Sequence, residues 1–411
     1  GLCPQSRERL MLDVQTTERR FEYGFGALAP QPEDALLSLI GRFRADGRLG
    51  KIDLGVGVYK TETGMTPVMG AVKAAEQALW TKQATKSYLG AEGDPDFVAL
   101  LAEIAFGAEI ACRENLAGIQ TPGGTGALRL GAELLKAANP RSTVWIGSPT
   151  WPNHAPIFTA AGLSARQHRY YRIASGKLDV EGMCEDLVDA APGDALLLHG
   201  CCHNPTGAVL SAVQWRTITR LCLEKGLIPV VDLAYQGLGD GLEADAAATR
   251  HLLADLPSAL VAYSCDKNFG LYRDRVGALW LQAETVAQSR IARGNILSIA
   301  RAMWSMPPDH GAAVVRMILR DEVLRAQWSS ELDAMRARIN AMREQFAAAH
   351  PRLREIGRQR GMFAVLPINP HQVGALRETD AIYLPNSGRI NIAGLTSENI
   401  LRVAAALAPY L

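Results

Sequence analysis

Short apolar runs alternate with amphipathic stretches through the middle of the chain. Residues 143–146, 195–199, 227–231, 260–263 and 277–281 are β-prone and apolar at successive positions. Between them, residues 126–137, 211–225 and 246–255 have helical spacing. Strand, turn and helix in this rhythm predict βαβ units and a mostly parallel sheet. Strands that are apolar at odd and even positions alike need helices over both faces. Residues 320–349 then form a long amphipathic pattern rich in Ala, Glu, Arg and Met. Short strands follow at 361–366, 381–384 and 389–392, with a closing helix at 399–408. The expected class is α/β, with a large domain over residues 66–330 and a smaller α/β domain over 331–411. The N-terminal segment, residues 1–65, is short on sheet signals and is expected to pack partly with the smaller domain.

The composition narrows the classes of function. A chain of 411 residues has the length of two or three domains. A net charge of +1 gives no basis for electrostatic capture of nucleic acid or of an anionic membrane. The seven cysteines form no CxxC pair, which fits free thiols in a reducing compartment. No run approaches the roughly 18 apolar residues of a membrane span. Residues 1–14 contain Arg7, Glu8, Arg9 and Asp13 and lack an apolar signal core. Residues 1–10 read as a non-native remnant, with Met11 as the native start. The expectation is a soluble, cytoplasmic protein.

In an open α/β sheet, ligands gather outside the carboxyl ends of the strands. Polar clusters stand after the apolar runs. Pro122-Gly123-Gly124-Thr125-Gly126 opens a helical stretch, where backbone N–H groups and the helix terminus favour an anion. Taken alone it is a weak signal. It lacks the third glycine of a dinucleotide loop, with Arg129 in its place, and no Gly-Lys-Ser/Thr follows as in a Walker loop. The segment His199-Gly200-Cys201-Cys202-His203-Asn204-Pro205-Thr206-Gly207 reads first as a turn. Its histidines and cysteines are too close in sequence to surround one ion, and no metal is expected. Asp232, in Asp232-Leu233-Ala234-Tyr235, ends an apolar strand, where a carboxylate is costly unless paired. It is either a helix cap or the carboxylate that keeps a pyridine nitrogen protonated. Lys267 stands between Ser264 and Arg275, both suited to a phosphate. That arrangement fits a Schiff-base lysine whose cofactor has a phosphate tail. Arg301 and Arg389 could each clamp a carboxylate, and each alone is an ordinary surface arginine.

Together these segments resemble the class I aminotransferases of pyridoxal-phosphate fold type I, in the aspartate/aromatic branch. The resemblance runs from Ile52–Lys60 to residues 387–394 in the same order and spacing. It includes Lys86-Ser87-Tyr88-Leu89-Gly90 and Thr150-Trp151-Pro152-Asn153-His154. It implies a large domain with a mostly parallel sheet flanked by helices, and a smaller α/β domain. It also implies pyridoxal 5′-phosphate held as an imine on Lys267, which then shuttles the Cα proton. Asp232, backed by His154, would pair with the ring nitrogen. Tyr235 and Asn204 would bond the phenolic oxygen, and Trp151 would stack on the ring. Gly124, Thr125, Ser264 and Arg275 would hold the phosphate, joined by Tyr88 from a neighbouring subunit. Arg389, with Asn204 and the backbone of Gly57, would clamp the substrate α-carboxylate. Arg301 of the other subunit would bind a side-chain carboxylate, so a homodimer is expected. Leu36 and Leu37 match residues that cover the site on closure.

The implied reaction moves an amino group between an L-amino acid and a 2-oxo acid such as 2-oxoglutarate. Val58, Lys60, Thr66 and Thr125 look like the aspartate-preferring members. Ser87 and Met306 depart from them, and a flexible apolar Met306 suits a pocket that also admits aromatic rings. The alternatives are an aromatic-preferring enzyme, or β-elimination or decarboxylation on the same fold. A cofactor-binding sensor is the non-enzymatic alternative, against which the presence of Lys267 and Asp232 weighs. Asp266 departs from the small residue usual before the lysine and adds negative charge beside a phosphate.

Overall fold

The computed structural model describes residues 24–411. The expectations about the start of the chain, residues 1–14, lie outside them. Among the described residues no helix is long and apolar enough to cross a membrane.

Seven strands form the main sheet: β1 (Leu116–Pro122), β2 (Thr143–Ser148), β3 (Ser164–Arg169), β4 (Ala195–His199), β5 (Ile228–Leu233), β6 (Ala259–Ser264) and β7 (Val276–Gln282). Their order is β1-β7-β6-β5-β4-β2-β3. All neighbours pair in parallel except β7, which runs antiparallel to both β1 and β6. The apolar runs work as expected from a sheet covered twice. In β4, Leu196 and Leu198 enter one core cluster while Ala195 and Leu197 enter the other. In β7, Trp280 faces the first cluster, and Leu279 and Leu281 face the second. One face packs against helices that include Pro95–Phe106 and His310–Arg320, the other against Gly123–Ala138 and Val286–Met303.

Two strands of the main sheet escaped the pattern. β3 is an edge strand whose side chains are mostly polar, and only His168 is buried. A charged edge discourages pairing with another chain, and it also removes the apolar signal. β1 has Gly118 and Gln120 in its interior. A Cβ at Gly118 would meet the Trp280 indole at 2.3 Å, so the small residue is what lets β1 lie against β7.

The helix Glu322–Ala349 runs unbroken through residues 330 and 331. The short strand Ile52–Asp53 pairs in parallel with Ile382–Tyr383, which ties the N-terminal part of the chain to its C-terminal part. Phe363–Val365 pairs antiparallel with Arg389–Asn391. The Asn391 side chain donates to the carbonyls of Val56 and Val58, both at 2.7 Å, and so fixes the turn around Gly57.

Candidate active site

The sheet register gathers the polar clusters on one edge. His199 and Asp232 are neighbours in register at the ends of β4 and β5, and Ser264 ends β6. Because β7 is antiparallel, its first residue, Val276, lies at that same edge, opposite Pro122. Arg275 therefore meets the start of the helix Gly123–Ala138. Its backbone is left-handed, with φ +56°. Gly123 (φ +71°) has no room for a side chain, since a Cβ would lie 2.6 Å from the Arg275 guanidinium. A Cβ on Gly124 would press on Ser264 at 3.0 Å. Bare backbone, two hydroxyls and a cation thus converge on one cradle.

A cavity of about 320 Å³ opens beside it. It is lined by Gly57, Gly124, Thr125, Trp151, Asn204, Asp232, Tyr235, Ser264, Lys267, Arg275 and Arg389, together with Leu36. Most of the sequence-predicted residues are thus brought together, with three exceptions. Tyr88 is 93% exposed, and Arg301 is exposed with its guanidinium donating to Ser305 Oγ at 3.0 Å. Neither lines the cavity of its own chain. Leu37 is also exposed and does not line it.

Each cavity group has a physical setting. Enclosure by protein lowers the Lys267 pKa, against the opposing pull of Asp266 and Asp232. More of its amine is therefore unprotonated and nucleophilic. Asp232 is buried, and burial pushes its pKa up. The hydrogen bond from His154 (2.8 Å) and the nearby Lys267 ammonium outweigh that, so the carboxyl ends below its ordinary value. It stays ionised at neutral pH. Burial pushes the Tyr235 phenol well up, and its oxygen accepts from the Asn204 amide at 3.4 Å. Burial likewise lowers the Arg389 pKa, against Tyr235. Arg389 donates to the Gly55 carbonyl at 2.8 Å, lies over the Phe363 ring at 4.5 Å, and keeps a buried Nε without a partner. That free donor is suited to an incoming carboxylate.

A hydrogen-bond chain leads away from Asp232. The Asn204 backbone N–H donates to His199 Nδ1 at 3.4 Å, so His199 carries its proton on Nε2. Burial, then His154, pushes the His199 pKa down to about 3, so the ring is neutral. Its Nε2–H donates to Thr150 Oγ1 at 3.1 Å, and the Thr150 hydroxyl donates to His154 Nδ1 at 2.8 Å. His154 must then present its Nε2–H to Asp232. One consistent set of donors fixes the tautomer of His154 and the aim of the carboxylate. Sequence reasoning missed Thr150 and His199 in this role, because the link joins positions about fifty residues apart only once the strands pair. It also missed Tyr272, which lines the cavity and whose oxygen accepts from the Tyr59 N–H at 2.9 Å.

Cys201 and Cys202 turn away from this cavity and gather with Asp245 behind it. The Asp245 carboxylate accepts from the backbone N–H groups of Gly237, Gly239 and Asp240.

The sequence matches the family model described as "Aminotransferase class I and II" over residues 50–407. The chain belongs to this family. An aminotransferase of Rhizobium meliloti, named tyrosine aminotransferase, is 50% identical over 384 residues, covering 92% of this chain and 98% of that one. The aspartate aminotransferase of Salmonella typhi is 43% identical over 395 residues, covering 94% and 100%. The solved aromatic-amino-acid aminotransferase of Burkholderia pseudomallei, described as covalently bound to pyridoxal phosphate, is 37% identical. It superposes with a TM-score of 0.91 over 95% of this chain and 100% of that one. The fold is that of the type I aminotransferases, and this family depends on pyridoxal phosphate. The chain is an aminotransferase acting between amino acids and 2-oxo acids.

Proposed function

We propose that this aminotransferase holds pyridoxal 5′-phosphate on Lys267 and acts on aspartate and glutamate, with aromatic amino acids as further substrates. The observation that carries the reading is the shared cavity. It sets a desolvated amine, an ionised Asp232 held by His154, a carboxylate-ready arginine and an anion cradle around about 320 Å³. The residues fit the cofactor, since Gly123 and Gly124 leave the cradle open where any side chain would fill it.

Gly124, Thr125, Ser264 and Arg275 would hold the phosphate, while Trp151 would cover the ring and Asp232 would face its nitrogen. When bound, the cofactor supplies an electron sink for the electrons left at Cα. Asp232 keeps the ring nitrogen protonated, and Tyr235 and Asn204 donate toward the phenolic oxygen. Arg389 clamps the substrate α-carboxylate with Asn204 and the backbone of Gly57. The Lys267 amine takes the proton from Cα and returns it on the other side of the reaction. Movement of Leu36 and Leu37 over the opening would exclude water. We further propose a large domain over 66–330 and a small domain over 331–411 joined by part of the N-terminal segment, with the pairing of Ile52–Asp53 and Ile382–Tyr383 as support. Tyr88 and Arg301, exposed on their own chain, would complete the site of a second copy in a homodimer. A cytoplasmic location fits the same reading.

A second, aromatic-preferring reading is favoured by the relative named tyrosine aminotransferase and by Met306, whose sulfur accepts the Leu89 N–H at 3.1 Å. One spectrum tests both. The visible absorption of the purified protein is recorded before and after L-aspartate and, separately, L-phenylalanine. A cofactor band that either amino acid converts supports the proposal, and the relative ease ranks the substrates. No band after added pyridoxal phosphate overturns it. Arg301→Ala is expected to cost about tenfold to a hundredfold in kcat/KM for aspartate, the value of one charge-assisted pair, and far less for phenylalanine. Equal losses for both substrates would remove Arg301 from the side-chain carboxylate.

A further inference from the structure

The phosphate cradle contains an acid that no phosphate site needs. Asp266 is 4% exposed and lines the same cavity as Ser264, Thr125 and Arg275. Its Oδ2 lies 2.5 Å from Arg275 Nη1. Its Oδ1 is buried with no hydrogen-bond partner. Its backbone N–H donates to Ser264 Oγ at 3.2 Å, so the turn that presents Ser264 also points the acid inward. The titratable groups that act on it are few. Arg275 approaches from the start of β7, Lys267 and Cys265 flank it in its own turn, and Tyr272 faces it from the following turn.

A phosphate ester has a charge of about −2 above its second pKa of about 6. Set beside Arg275, it would meet an ionised carboxylate that already occupies that cation. Two anions enclosed together against one arginine lower their energy by sharing a proton, as paired carboxylates do. The unpartnered Oδ1 is the atom that such a proton would bridge from.

We propose that Asp266 is a built-in anion that occupies Arg275 until a phosphate enters, and that phosphate binding takes up one proton, held between Asp266 and the bound oxyanion. The inference rests on the cavity being the cofactor site. It makes cofactor retention weaken as pH rises, so the balance of loaded and empty enzyme follows pH. A serine or asparagine at 266 removes that dependence.

The test uses the full chain freed of cofactor and titrated with inorganic sulfate, a dianion that takes no proton itself in this range. Binding is followed by calorimetry in two buffers of different ionisation enthalpy, from about pH 6 to about pH 8. The wild type is expected to bind sulfate about tenfold more weakly for each pH unit, the slope of one linked proton. It should take up close to one proton. Asp266→Ser should give a flat profile and bind at least about tenfold more tightly at the alkaline end. Asp266→Asn, which keeps the shape and an acceptor for Arg275, serves the same comparison if the serine variant folds poorly. Equal affinity and equal proton uptake in wild type and variants would overturn the proposal, as would the absence of sulfate binding to any of them. Sulfate needs no bond to Lys267, so a failed cofactor spectrum and a failed sulfate profile are separate results.

Discussion

Lys267→Ala is expected to lower turnover by at least about a thousandfold while leaving a folded chain. A positioned general base alone contributes about a hundredfold to ten-thousandfold, and this residue is assigned both cofactor attachment and proton transfer. The structural loss is small. The Lys267 carbonyl still accepts the Gly270 N–H at 3.2 Å, and the neighbours Asn268 and Phe269 stay buried. The amine sits 5.1 Å from the Tyr235 ring centroid and reaches no strand or helix cap. The thermal transition should therefore move little, and the variant should still bind sulfate in the cradle. Single-turnover kinetics with each amino acid, alongside a melting curve, read both halves of the expectation. Substantial transamination by the folded variant would sink the assignment of Lys267.

Lys267 was legible because of where it stands. The strands β2, β4, β5, β6 and β7 announce themselves as apolar runs, and polar residues placed just beyond the parallel ones reach one edge of the sheet. That rule found Asn204, Asp232, Ser264 and Lys267 without any distance. Arg275 was singled out only as an arginine suited to a phosphate near Lys267, and it reaches that edge because β7 is antiparallel and its beginning, rather than its end, lies there. The sequence pattern contains no sign of that reversal.

The rest of the site depends on pairings that a linear pattern does not encode. Arg389 is just another arginine until Phe363–Val365 pairs with Arg389–Asn391 and sets its guanidinium over Phe363. Thr150 is an ordinary turn residue until it stands between His154 and His199. The edge strand β3 and the glycine-bearing β1 lacked the apolar signature because one faces solvent and the other is pressed against Trp280. Tyr88, and the placing of Arg301 in a second subunit's site, came only from resemblance, and a single chain leaves both residues on its surface. Asp266 was visible as an odd residue. Only the fold joins it to Arg275 and strips the partner from its second oxygen.

Asp232→Asn is expected to cost about a hundredfold to a thousandfold in kcat, the usual price of removing one preorganised electrostatic partner from a reacting centre. The asparagine has the same shape, and its oxygen can still accept from His154 Nε2, so the Asn204–His199–Thr150–His154 chain keeps its direction. What disappears is the negative charge that the depressed Asp232 pKa maintains through the neutral range. Without it no anion of the chain would hold a proton on the ring nitrogen at neutral pH, and the residues would give less support to the electron sink that the cofactor would supply. The sign of the pH response separates this role from a merely structural one. The wild-type carboxylate loses its charge only as pH falls through its lowered pKa, so kcat should be level across the neutral range. In the variant, solvent must supply the ring proton, and kcat should climb as pH falls. A level pH profile in a well-folded Asp232→Asn protein, or a loss confined to KM, would mean that Asp232 only packs against His154 and does not govern the ring.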